Sequence, residues 1–210
     1  MAAGLVRRRN MIGAGALISA AVLGTLGLGA AIGGAKEKAP KTARATLVNA
    51  EGKKIGKIRF QAAGKSSLDV RVSVKGLAPG FHGFHVHDAG TCVAPFATAG
   101  PHYNPTAQSH GSHAGDMPPL LVGKGGRAIT EFRTTSLTFS GLIDAAGNGN
   151  AVIVHAAPDN LANIPTTYHS HIPDASSTTF GPDASAKATG DSGARVACGV
   201  VRRLKSPGHG

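Results

Sequence analysis

Six histidines and one aspartate fall in four separate stretches of the chain: His85 with His87; His102; His110, His113 and Asp116; and His155. The chain has ten histidines, so most belong to this one pattern. Imidazole is the commonest transition-metal ligand at neutral pH. These side chains can act together only if the fold brings all four stretches to one point. Seven ligands are too many for one tetrahedral site and enough for two sites that share a ligand.

Local structure allows such a convergence. Gly83-Phe84-His85-Val86-His87 alternates like a strand, so His85 and His87 project from one face while Phe84 and Val86 point toward a core. Ala151-Val152-Ile153-Val154-His155 is a β-branched run ending in an imidazole. His102 lies in Gly100-Pro101-His102-Tyr103-Asn104-Pro105, where two prolines and a glycine indicate a fixed loop. Three imidazoles and a carboxylate suit zinc in a closed four-coordinate site. The all-imidazole set His85, His87, His102 and His155 suits copper. His102 can serve both, because a deprotonated imidazole has two donor nitrogens.

The rest of the chain reads as all-β. Its 210 residues suggest one domain with an extra segment. Thirty glycines and twelve prolines imply many turns rather than long helices. Expected strands are 44–48, 57–61, 68–74, 81–87, 120–122, 128–132, 137–139, 151–155 and 195–201, with Gly123 to Gly126 as a hairpin turn. Many short antiparallel strands argue a sandwich or barrel. The connections 88–119 and 156–194 are long enough to expect a function for them.

The N-terminus reads as an export address. Arg7-Arg8-Arg9 precedes an uncharged run from Asn10 to Ala35 that ends in small residues. Residues 1–35 are expected to be a signal peptide cleaved near Gly33-Gly34-Ala35, and Arg8-Arg9-Asn10-Met11-Ile12 resembles a twin-arginine signal. An uncleaved membrane anchor is the alternative. Residues 36–43 read as a linker, 44–203 as the folded domain and 204–210 as a flexible basic tail. The net charge is +11. With no basic helix and no aromatic-interleaved stripe, this charge does not indicate a specific nucleic-acid partner. It suits solubility and loose adhesion to an anionic cell surface.

In the segments Gly80 to His87, Ala99 to Pro105, His110 to Asp116, Val152 to His155 and Gly193 to Val200, the chain resembles the copper–zinc superoxide dismutase family, over roughly Arg44 to Arg203. Five motifs in the right order make the resemblance specific. It implies an eight-stranded antiparallel Greek-key β-barrel with two long functional loops. It also implies one copper on His85, His87, His102 and His155, and one zinc on His102, His110, His113 and Asp116. The substrate would be superoxide, converted to O₂ and H₂O₂ as copper is reduced and reoxidised, with His102 as proton carrier. Arg195 would attract and orient the anion, with Lys187 and Thr189 as weaker steering residues. Asp159 would accept hydrogen bonds from His85 and His110. His82 would be structural rather than a ligand. Cys92 and Cys198, the two cysteines of the chain, would form a disulfide, as an even count in an exported protein also suggests. The alternative is a dismutase-like fold that binds copper and zinc without turnover. His169 and His171 lie outside the ligand pattern and read as a solvated pair. A homodimer is left open by the sequence.

Overall fold

The computed structural model describes residues 41–167 and 180–205. The expected export segment, most of the linker, His169, His171 and residues 206–210 lie outside the described residues.

Among these there are nine strands: β1 (Thr42–Asn49), β2 (Lys54–Ala62), β3 (Leu68–Lys75), β4 (Gly80–His82), β5 (Phe84–His87), β6 (Leu120–Val122), β7 (Arg127–Thr134), β8 (Ala151–His155) and β9 (Arg195–Arg203). Seven form one antiparallel sheet in the order β5-β8-β9-β1-β2-β3-β7, and β4 pairs with β6. β4 and β5 are one strand interrupted at Gly83, where an added Cβ would lie 2.4 Å from Ser192 Oγ. β6 leads into β7 through the turn at Gly123–Gly126. Counted this way, a curled antiparallel sheet has eight strands, and the crossovers β3 to β4 and β7 to β8 give it Greek-key order.

Alternation builds the core. Ala43, Ala45 and Leu47 on β1, Ile58 and Phe60 on β2, and Leu68, Val70, Val72 and Val74 on β3 point inward, with exposed or half-buried residues between them. They meet Phe84, Val86, Val152 and Val154 inside the barrel. β5 and β8 are buried on both faces. Their outer face is covered by the 88–119 loop, whose Phe96 and Ala99 pack on Ala151, Ile153 and Cys198. A Cys92–Cys198 disulfide, Cα–Cα 5.6 Å, fastens that loop to β9.

Several sequence expectations are corrected. The Gly123–Gly126 turn forms, with Gly123 N–H donating to Arg127 O at 2.9 Å, but its flanking strands separate. β6 pairs with β4 and β7 with β3, so the turn closes the barrel instead of making a hairpin. Leu137 to Phe139 is not a strand. Thr138 Oγ1 accepts from Gly141 N–H at 3.1 Å and caps a one-turn helix, α1 (Phe139–Leu142), that buries Phe139 and Leu142. β1 begins at Thr42, inside the expected linker, because Thr42 pairs with Gln61. Leu204 N–H donates to Thr42 O, which holds the start of the expected tail. The 156–194 connection contains a second helix, α2 (Ala184–Thr189), capped by Asp183 and by Gly190 in the left-handed conformation.

Candidate metal centre

Strand register gathers the first three imidazoles. His85 faces Ile153 and His87 faces Ala151 across β5 and β8. Cross-strand partners share a sheet face, so His155, two residues beyond Ile153, joins them. His102 and Asp116 arrive because β5 is a sheet edge with backbone groups to satisfy. Tyr103 N–H donates to Val86 O and Val86 N–H to Gly115 O, both at 2.8 Å, and bridges link His87 to His102 and His85 to Asp116. The approach at Gly115 is so close that a Cβ would sit 2.2 Å from Val86 O. His110 N–H donates to Lys187 O at 2.7 Å, joining the second loop to the site.

All six imidazoles are buried. Each of five rings is held at one nitrogen. His85 Nε2 and His110 Nε2 reach the two oxygens of Asp159 at 2.5 and 2.7 Å. His87 Nδ1 meets Gly100 O at 2.8 Å, His155 Nδ1 meets Gly193 O at 3.0 Å, and His102 Nδ1 meets Asp116 Oδ1 at 3.0 Å. The opposite nitrogens, His85 Nδ1, His87 Nε2, His102 Nε2, His155 Nε2 and His110 Nδ1, are buried without a hydrogen-bond partner. Burying one such atom is costly, and native folds rarely do it. The donor atoms of His85, His87, His102 and His155 lie within 4.8 Å of one another. This four-imidazole set fits a copper ion.

A second set meets the other nitrogen of His102. Asp116 Oδ1 lies 3.0 Å from His102 Nδ1, 3.4 Å from His110 Nδ1 and 3.3 Å from His113 Nδ1. His113 Nδ1 lies 3.4 Å from His102 Nδ1. A tetrahedron around zinc with ligand bonds of about 2.0–2.1 Å has edges of about 3.3–3.4 Å. Proximity alone also groups His85 with His102, His110 and Asp116. The free nitrogen of His85, Nδ1, already belongs to the four-imidazole set, however, while His113 Nδ1 lies against both Asp116 Oδ1 and His102 Nδ1, so the set with His113 is the better tetrahedron. Asp116 Oδ2 accepts from the N–H groups of Gly111 and His113, which fixes the carboxylate.

Electrostatics follow the same division. Burial pushes His87 down to about 2 and His155 to about 3, so both are neutral and free to donate a lone pair. Burial also works against charge on His110, but the Asp116 and Asp159 carboxylates outweigh it and raise the ring to about 9. Burial opposes ionisation of Asp116, yet the hydrogen bond to His102 and the nearby His110 and His113 rings hold its carboxyl well below the usual range. Asp159 is lowered in the same way by His110 and His85. A field that favours a proton on His110 equally favours a metal cation.

The four-imidazole set opens to solvent on one side. A cavity of about 730 Å³ is lined by His102, His155, Thr189, Gly193, Pro101 and Arg195. Arg195 donates to Phe96 O at 2.7 Å, Ala97 O at 3.3 Å and Gly100 O at 2.6 Å. Gly100 O is therefore shared by Arg195 and His87. Thr189 reaches the cavity, but Lys187 is exposed on α2 and does not line it. His82 lies between His155 O and Ala78 O, away from both donor sets. Sequence reasoning missed the Gly100 and Gly193 carbonyls, and it missed Gly190. Gly190 has φ +64°, and a Cβ there would come within 2.2 Å of His110 Nε2 and 2.3 Å of Asp159 Oδ1.

Comparisons agree with this geometry. Residues 54–201 match the family described as copper/zinc superoxide dismutase. A copper–zinc superoxide dismutase of Mycobacterium tuberculosis is 34% identical over 185 residues, covering 81% of this chain and 75% of its own. The one from Mycolicibacterium paratuberculosis is 33% identical over 184 residues, covering 80% and 78%. In structure, the chain is similar to the clock protein EA4, with a TM-score of 0.62 and 25% identity, over 80% of this chain and 97% of that one. Family pattern, relatives and paired donor sets point the same way: the chain belongs to the copper/zinc superoxide dismutase family, oxidoreductases that use copper and zinc and act on superoxide.

Proposed function

We propose that the protein is an exported superoxide dismutase that binds copper through His85, His87, His102 and His155, and zinc through His102, His110, His113 and Asp116. The observation that carries this reading is His102, whose Nε2 faces one buried donor set and whose Nδ1 faces the other. Copper, when bound, supplies one-electron chemistry: one superoxide gives up an electron and leaves as O₂, and a second takes that electron with two protons and leaves as H₂O₂.

The chain's residues prepare and guide this reaction. Arg195, pinned by three backbone carbonyls, presents a fixed positive charge at the cavity and draws the anion toward His102 and His155. The guanidinium stays protonated at all working pH. His102 can hold a proton at Nε2 while Nδ1 stays against Asp116, and can pass that proton to the reduced substrate. Asp159 fixes His85 and His110 in a single orientation. Thr189 shapes the rim, and Lys187 adds positive field at longer range. Export is supported by the Arg7–Arg9 signal-like start and by the disulfide, which suits an oxidising compartment. The positive charge suits loose adhesion to an anionic cell surface.

The test is to load the full chain with both metals and assay superoxide consumption. Activity should be lost on chelation and restored by copper but not by zinc alone. Stable uptake of both metals without consumption would favour a binding protein.

A further inference from the structure

The outer face of the barrel carries four arginines in a single row. Arg44 on β1 is paired with Arg202 on β9 and with Arg59 on β2. Arg59 is paired with Arg71 on β3, and Arg71 with Glu131 on β7. Across five neighbouring strands the row reads Arg202, Arg44, Arg59, Arg71, Glu131, and all five are exposed. Glu131 neutralises only its neighbour, with Arg71 Nε 2.8 Å from Oε1. Among the described residues, no carboxylate pairs with Arg202, Arg44 or Arg59. Asp69, the other acid of this face, is taken by Arg133.

Like charges directly opposite one another destabilise a sheet. Strand spacing puts the four guanidinium groups on backbone positions spanning only about 15 Å. A groove of about 400 Å³ runs beside three of the four, lined by Arg44, Thr46, Lys57, Arg59, Arg71 and Ser73. An anion with charges spaced along a chain would relieve the repulsion and fill the groove. Guanidinium forks match the oxygens of sulfate and phosphate esters.

We propose that this row is a docking strip for a flexible anionic polysaccharide bearing sulfate esters. The strip has no aromatic side chain, so it offers no stacking platform for nucleic-acid bases. Its one large exposed apolar neighbour, Ile129, is too little to insert into a bilayer. The sheet curls, so a flat membrane meets the row tangentially while a flexible polymer can follow it. The strip lies on β9, β1, β2, β3 and β7. The metal donors lie on β5, β8 and the loops, and Arg195 stands at the opposite end of β9 from Arg202, so binding leaves the reaction centre untouched.

Dextran sulfate is the probe, with neutral dextran, duplex DNA and phosphatidylglycerol vesicles as comparisons, all on the metal-loaded full chain. The variant Arg44→Ser/Arg59→Ser is compared with Lys65→Ser/Lys124→Ser, which loses the same charge from exposed turns. The wild type should bind dextran sulfate more tightly than DNA or vesicles, and neutral dextran not at all. The arginine variant should bind at least tenfold more weakly, and its slope of log affinity on log salt should fall by about two. The lysine variant should change less than twofold. Dextran sulfate should raise the melting temperature of the wild type and not of the arginine variant. Without polymer, the arginine variant should melt no lower than the wild type, and superoxide consumption should be unchanged in every variant. Equal losses in the two variants would overturn the strip in favour of general basicity. Tighter binding to DNA or vesicles through the same arginines would overturn the polysaccharide as its occupant.

Discussion

Gly190 shows how much of the centre depends on a residue with no side chain. It ends α2 in the left-handed conformation, directly against the Asp159–His110 hydrogen bond. Gly190→Ala should push Asp159 off His110, with its effect passed to His85. A loss of roughly 10–100-fold in metal affinity or rate is expected, the range for partners that orient metal ligands. Metal titration and superoxide consumption check it, and an unchanged affinity and rate would show that the bridge tolerates displacement. Arg195 gives a test of guidance. Superoxide is a small anion, so consumption should slow as salt shortens the Debye length from about 10 Å at 0.1 M to about 3 Å at 1 M. Arg195→Glu should be much slower at low salt and lose or reverse that dependence, with metal content unchanged. Arg195→Lys should fall between, keeping charge but losing the fork that reaches Phe96 O and Gly100 O. A glutamate variant with the wild-type salt slope would move the guiding field to Lys187 or the wider surface.

The 88–119 loop belongs to the site as much as the strands do. It supplies His102 and the second donor set, and its carbonyls at Phe96, Ala97 and Gly100 hold Arg195. The disulfide anchors this loop to β9 across 106 residues of sequence. Closing so long a loop is worth about 4–5 kcal/mol in the chain-entropy account. Cys92→Ser/Cys198→Ser should therefore lower the melting temperature by roughly 10–15 °C. It should also cost rate before it costs zinc, because Arg195 loses its frame while the His102–Asp116 segment stays pinned to β5. Calorimetry with metal analysis separates the two effects, and zinc loss in step with rate would refute the order.

Elements differ in how plainly the sequence announced them. β1, β2 and β3 were legible because one face is wet, so polarity alternates. β8 is apolar on both faces, and only its terminal His155 marked it as part of a site. The β6–β7 turn was visible, but strand partners beyond a turn are set by barrel closure, which no local pattern encodes. The strand expected at Leu137 failed because Thr138 offers a side-chain oxygen to Gly141 N–H and starts a helix instead. The candidate ligand side chains are readable because their chemistry is written in their residue type. The carbonyls of Gly100 and Gly193 are not, since every residue has one and only the fold selects which of them act.

The metal centre and the barrel are linked through protons. In the metal-free protein, burial holds His87 near 2 and His155 near 3, below the ordinary value of 6.5. The unfolded chain takes these protons first, so stability is lost as pH falls from about 6.5 toward 3. His110, raised to about 9, has the opposite sign: the stability its proton brings is lost as pH rises from about 6.5 to 9. Metal-free protein should melt highest near neutrality and decline on both sides. Metal loading should remove the alkaline decline, because the cation replaces the His110 proton. Melting temperatures of the metal-free protein that stay flat from pH 5 to 9 would contradict this balance.

On the proposed reading, two donor sets sharing His102 make one dismutating centre. It is tested most directly by measuring metal content and superoxide decay on the same sample of wild-type protein and of His155→Ala. The wild type should hold one copper and one zinc per chain and consume superoxide in proportion to its copper. The variant should retain zinc and fold, lose copper, and leave superoxide to decay at the uncatalysed rate. Full activity in His155→Ala, or a copper- and zinc-loaded wild type with no activity, would show that the two donor sets do not form such a centre.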